Sequence, residues 1–104
     1  MIVKKDFAAE NLIASFLTCV KDDPRICSTH ISLYTSLIYI LQKNEFKTPV
    51  YFYRNDLIPF CKISGSATFH RRLKELEGFG YIKYQPSFNH SVGSKVEFLV
   101  MSLK

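Results

Sequence analysis

Between Ser64 and Lys74 the chain gathers Ser64, Ser66, Thr68, His70, Arg71, Arg72 and Lys74, a run of hydrogen-bond donors in which three side chains carry fixed positive charge. At the start of a helix, such hydroxyls and the unpaired first-turn N–H groups suit a phosphate, which the positive end of the helix dipole also favours. A guanidinium reaches O6 and N7 of guanine as a bidentate pair, which makes Arg71 the best candidate for contact with a base edge. A second polar cluster lies in Ser87 to Lys95. There Asn89, Ser91, Ser94 and backbone N–H groups could hold phosphate oxygens, and Lys95 adds charge. A plainer reading stands beside each. Arg71 and Glu75 are spaced i, i+4 and could pair on a solvated helix face, and the second cluster could be an ordinary hairpin loop.

Other chemistries find little support. His30, His70 and His90 fall in three different elements, and there is no G-x-S-x-G, P-loop or H-E-x-x-H. Cys27 and His30 are spaced like two metal ligands, but no second pair completes a tetrahedral site. No catalytic, metal, cofactor or small-molecule site is therefore expected. Cys19, Cys27 and Cys61 are odd in number and widely spaced, which fits reduced packing residues in the cytoplasm better than disulfides. Tyr51, Phe52, Tyr53, Tyr81 and Tyr84 could stack on single-stranded bases, but aromatics at strand positions more often pack a small sheet.

The elements that must position these residues follow from periodicity. Phe7, Leu12, Ile13, Phe16, Leu17 and Val20 form one stripe of a helix over about 6–20, with Asp6 as N-cap and Pro24 beyond its end. A second helix starts near Ser28 or Thr29 and runs to about Lys43. It is apolar around much of its circumference, as a central core helix is. Val50 to Tyr53 reads as a short strand. Asn55 or Asp56 then caps a short helix carrying Leu57, Ile58 and Phe60, with Pro59 in its first turn. Ser66 caps the next helix, Ala67 to Glu77, whose Phe69, Leu73 and Leu76 sit at i, i+4 and i+7. Gly78 or Gly80 ends it in a left-handed conformation. Tyr81 to Gln85 and Lys95 to Met101 read as two strands joined by a loop over 86–94.

The chain has 104 residues, 47% of them hydrophobic, enough for one folded domain with a core. No apolar run is long enough to span a bilayer, and the start does not read as a signal peptide, so no membrane partner is expected. The net charge is +5, and most of the excess lies between Lys62 and Lys95. That stretch carries Lys62, Arg71, Arg72, Lys74, Lys83 and Lys95 against Glu75 and Glu77.

A short helix and a longer one across a tight turn, followed by a two-stranded hairpin, form the winged helix-turn-helix arrangement. The expected fold class is therefore α+β and mainly helical, with an extra N-terminal helix over 6–20 before a winged helix core over 28–104. Residues 63–82, I-S-G-S-A-T-F-H-R-R-L-K-E-L-E-G-F-G-Y-I, resemble the recognition helix of winged helix regulators, whose pattern reads S-x-x-T-hydrophobic-x-R-x-L-x-x-L-x-x-x-G-Y-I. The chain also resembles small winged helix proteins of Bacteroidetes chromosomes and mobile elements. It shares with them H-I-S-L-Y at His30 to Tyr34, G-Y-I-K-Y at Gly80 to Tyr84 and G-S-K-V at Gly93 to Val96. The resemblance covers about Ser28 to Val100 and puts a basic residue at Arg71. It implies sequence-specific binding of double-stranded DNA by a transcriptional regulator or mobile-element accessory factor. On that resemblance the helix is expected to lie in the major groove and the loop to act as a wing. The rival expectation is a winged helix that serves protein assembly without DNA. An exposed cationic helix face favours the first, an exposed apolar one the second. The N-terminal helix is expected to pack on the core and to offer a homodimer contact.

Overall fold

The computed structural model describes residues 2–47, 49–87 and 93–99, with side chains from residue 12 onward. Among the described residues the elements run α1 (Ile2–Lys21), α2 (Ser28–Lys43), β1 (Val50–Phe52), α3 (Arg54–Cys61), α4 (Ser66–Gly78), β2 (Ile82–Gln85) and β3 (Ser94–Phe98). This is the expected α+β, mainly helical fold. α3, the turn over 62–65 and α4 form the helix-turn-helix, β2 and β3 form the hairpin, and α1 precedes them. Loop residues 88–92, Asn89 among them, the strand end at Val100 and Met101, and the Phe7 side chain lie outside the described residues.

α2 is the central helix because its apolar positions wrap most of its surface. Leu33, Tyr34, Leu37, Ile38 and Leu41 are all buried. Phe69, Leu73 and Leu76 reach the same core from α4, and Val96 and Ile82 reach it from the sheet. Phe98 packs against its border. From α1, Phe16 enters edge-on between Tyr34 and Tyr81. The α1 stripe divides, however: Leu12, Cys19 and Val20 face the core, whereas Ile13 and Leu17 are 39% and 47% exposed.

The wing is larger than a two-stranded hairpin. β3 lies in the centre of an antiparallel sheet of order β1-β3-β2, with Val50 opposite Val96 and Tyr84 also opposite Val96. Inward Val50, Phe52, Ile82 and Tyr84 alternate with outward Tyr51, Lys83 and Gln85, as a sheet with one covered face requires. Two glycines have positional reasons. Gly80, not Gly78, takes the left-handed conformation after α4, at φ 93°. At Gly93 a Cβ would stand 2.6 Å from the Phe52 carbonyl oxygen, so β1 approaches β3 across a bare Cα.

Three expected caps are placed differently. α1 starts at Ile2, so Asp6 lies inside it; no glycine or proline between Ile2 and Lys5 breaks the helix. The N-cap of α3 is Tyr53, whose N–H donates to Asp56 Oδ2 at 2.8 Å. Asp56 thus serves from three residues inside, as in a capping box. This earlier start puts Pro59 in the second turn of α3. The N-cap of α4 is Gly65, with Ser66 as the first helical residue and no side-chain cap.

Candidate nucleic-acid interface

The helix-turn-helix is braced at its turn. Lys62 adopts a left-handed conformation at φ 63°, and its N–H donates to the Ile58 carbonyl at 3.0 Å, which closes α3. A guanidinium N–H of Arg54, from the start of α3, donates to the Ser64 carbonyl across the turn. α4 leaves this turn with Phe69, Leu73 and Leu76 buried. Ser66, Ala67, His70, Arg71 and Lys74 are exposed, and Thr68 is half-buried. No large apolar side chain is exposed on α4 among the described residues. With no side-chain cap, the first-turn N–H groups remain available to an anion.

The charged residues of α4 are sorted by a polar network that spacing alone does not reveal. The Cys27 N–H donates to His30 Nδ1 at 3.0 Å, so the ring proton sits on Nε2. Nε2 donates in turn to Glu75 Oε1 at 2.7 Å, which joins the start of α2 to the middle of α4. The same carboxylate oxygen accepts from Arg72 Nη1 at 2.8 Å, and Arg72 Nε donates to Thr29 Oγ1 at 2.9 Å. His30 is 1% exposed, so this polar contact lies within the packed interface between the helices. The Arg72 hydrogen bond, followed by that from His30, holds the Glu75 carboxyl below the usual carboxylate range.

This geometry separates Arg71 from Arg72. Glu75 does not pair with Arg71; it turns towards α2 and takes Arg72 with it. Among the described residues Arg71 and Lys74 take part in no ion pair, and both stand on the outer face. Arg72 is instead a brace between helices. The His70 Nδ1–H donates to the Ser66 carbonyl at 2.9 Å, which leaves Nε2 facing outward as an acceptor in the neutral ring.

On the wing, Ser94 Oγ accepts from the Ser87 N–H at 3.3 Å, so it closes the base of the loop. Lys95 is half-buried on the central strand, opposite both Tyr51 and Gln85. Lys83 lies opposite Glu97, which offsets its charge. A further brace holds the sheet to the chain before α2. The Tyr81 hydroxyl donates to Asp23 Oδ2 at 2.7 Å, and Asp23 also accepts two guanidinium N–H bonds from Arg25, at 2.8 Å each. The Arg25 guanidinium carbon lies 4.2 Å from the Phe79 ring centroid. These bonds hold the Asp23 carboxyl well below its ordinary range, while burial, then Asp23, push the Tyr81 hydroxyl up.

Sequence reading missed Arg54, Thr29, His30 and Glu75 as positioning residues. The only local sign was the Cys27 and His30 spacing, and that pair serves a helix cap. Among the described residues no group of three or more His, Cys, Asp or Glu could hold a metal ion, and no helix is long and apolar enough to cross a membrane. In comparisons with known proteins, the chain matches no family model, no curated protein and no solved structure.

Proposed function

We propose that this protein binds double-stranded DNA sequence-specifically, as a transcriptional regulator or a mobile-element accessory factor. One observation carries the reading: α4 presents Arg71 and Lys74 outward without ion pairs, because Glu75 is occupied by His30 and Arg72. A helix anchored on one side and cationic on the other meets the demands of the major groove. The uncapped start of α4, with Ser64, Ser66 and Thr68 around it, suits a backbone phosphate, and Arg71 a guanine edge. His70 adds an outward acceptor, Lys74 charge, and the wing around Asn89, Ser94 and Lys95 a second backbone contact. Arg72 acts indirectly, by fixing the rotation of α4. The working place of such a protein is the cytoplasm, and no catalysis is assigned to it. Exposed Ile13 and Leu17, one helical turn apart on α1, support a homodimer that presents two recognition helices.

The test is electrophoretic shift of random-sequence duplexes, with selection of the bound fraction and a salt series on the winner. The expected result is enrichment of one site, with affinity that falls steeply as salt rises, because bound phosphates release counterions. If no duplex shifts even at low salt, protein assembly becomes the better account of the fold.

A further inference from the structure

Side-chain length changes along the outer face of α4. Ser66 and Ala67, in the first turn, are small and exposed, whereas Arg71 and Lys74, further on, are long. His70 stands between the two groups, a helical turn after Ser66 and Ala67 and a turn before Lys74. Its ring is held from two sides. Nδ1–H donates to the Ser66 carbonyl at 2.9 Å, and the ring meets that of buried Phe69 edge to face, with centroids 5.4 Å apart. His70 takes part in no ion pair among the described residues. A carbonyl oxygen only accepts, so the proton of the neutral ring sits on Nδ1 and the outward Nε2 keeps its lone pair.

A fixed acceptor on this face selects among partners. Phosphate oxygens are themselves acceptors, so the neutral ring is a poor backbone contact. On the base edges of the major groove, N6 of adenine and N4 of cytosine donate, whereas O6 and N7 of guanine and O4 of thymine accept. Nε2 therefore attracts adenine or cytosine on the strand it faces and meets a repelling oxygen from guanine or thymine. Arg71 has the opposite character, because a guanidinium only donates and suits guanine. Reach follows from the neighbours: histidine is shorter than arginine, but Ser66 and Ala67 leave nothing tall beside it to hold α4 away from the bases. Fixing the ring beforehand also lowers the entropy lost when the contact forms.

We propose that His70 is a specificity-determining residue, which accepts a hydrogen bond from the exocyclic amino group of an adenine or cytosine within two base pairs of the guanine that Arg71 contacts. The inference rests on the DNA-binding reading of α4 and narrows the class of site that it recognises. Consecutive helical residues are about 1.5 Å apart along the axis, against about 3.4 Å between base pairs, so the two contacts fall on the same or nearby steps. Adjacent residues of one helix thus select opposite chemistry, a keto base by donation and an amino base by acceptance. Lys74, a turn beyond His70, is left to the backbone.

The test is parallel selection from random-sequence duplexes by the full chain as wild type, His70→Ala and Arg71→Ala. Both side chains are exposed, so the variants keep the fold, which their thermal melts verify. Wild type is expected to select adenine or cytosine at the position that His70→Ala relaxes. His70→Ala should bind the wild-type site about two- to tenfold more weakly, the size of one hydrogen bond between neutral groups. Purine in place of that adenine, or 2-pyrimidinone in place of that cytosine, removes the amino group. The substituted duplex should lose two- to tenfold more, roughly, on wild type than on His70→Ala, where its partner is already gone. Selection of guanine or thymine at that position overturns the proposal, as does a His70→Ala variant that keeps the wild-type profile or selects nothing. So does a relaxed position more than two base pairs from the one that Arg71→Ala relaxes, or equal loss on wild type and His70→Ala when the amino group is removed. In all of these cases wild type has still selected a site, so the DNA-binding reading stands. If wild type selects no duplex, both fall together.

Discussion

Replacing Glu75 with alanine should destabilise the protein far more than its place on a polar helix face suggests. The carboxylate accepts from His30 Nε2 at 2.7 Å, and the His30 ring is 1% exposed. Its loss leaves a buried N–H without an acceptor, a penalty of about 1 to 3 kcal/mol. The Arg72 pair, with side chains 23% and 32% exposed, adds about 0.5 kcal/mol at most. The better helix propensity of alanine returns a few tenths, roughly, so the net cost is about 1 to 3 kcal/mol. Arg72→Ala leaves the bond from His30 to Glu75 in place and should cost about 0.5 to 1 kcal/mol. Glu75→Gln, which keeps a carbonyl oxygen in position, should fall between the two. Urea unfolding followed by circular dichroism measures all three, with an unchanged slope as the sign that only stability has moved. Because the Glu75 carboxyl titrates lower in the folded state than in the unfolded one, its contribution is present above the unfolded value. It is lost as pH falls through the folded value. Wild type should therefore lose more stability than Glu75→Gln between about pH 5 and pH 3. If Glu75→Ala costs no more than Arg72→Ala, the residue is merely solvated and the network reasoning fails.

Four further outcomes follow from the same geometry. Leu73→Ala removes a fully buried side chain at the centre of α4 and should cost about 2 to 5 kcal/mol in the same urea assay. Gly93→Ala drives a methyl group into the Phe52 backbone, which cannot yield as a side chain would. It should cost about 1 to 3 kcal/mol, with the largest amide shifts in β1 on NMR spectra. On a selected duplex, Arg71→Ala should lose about 1 to 3 kcal/mol of binding and relax preference at one base pair. A uniform loss across sequences would make Arg71 a phosphate contact. Lys95→Ala should weaken all duplexes alike and reduce the salt slope by about one, and a slope that stays put would remove Lys95 from the interface.

The helical period of Phe69, Leu73 and Leu76 was enough to show which side of α4 enters the core, because burial of one stripe is a local property of the sequence. The glycines around Phe79 and the alternation in β3 marked the hairpin in the same way. Contacts between distant positions were not legible. The bond from His30 to Glu75 joins residues 45 apart in sequence, so Arg71 and Arg72 looked equivalent when only neighbours were compared. The caps at Tyr53 and Gly65 were hidden for a different reason. Their backbones are extended, and the residues with capping side chains, Asp56 and Ser66, stand inside the helices they were expected to open. The pairing of β1 with β3 was equally hidden, since short strands far apart carry no register signal beyond their inward faces.

The strand order also sets an order in time. β3 is the latest strand along the chain and yet lies between the other two. Its hairpin with β2 closes over a short loop, whereas its pairing with β1 must bring Phe52 to Ser94 after α3, α4 and β2 have intervened. Loop closure costs entropy before the contact returns anything, so the hairpin leads and β1 joins late. Until then Tyr51, at the middle of β1, has no strand neighbour.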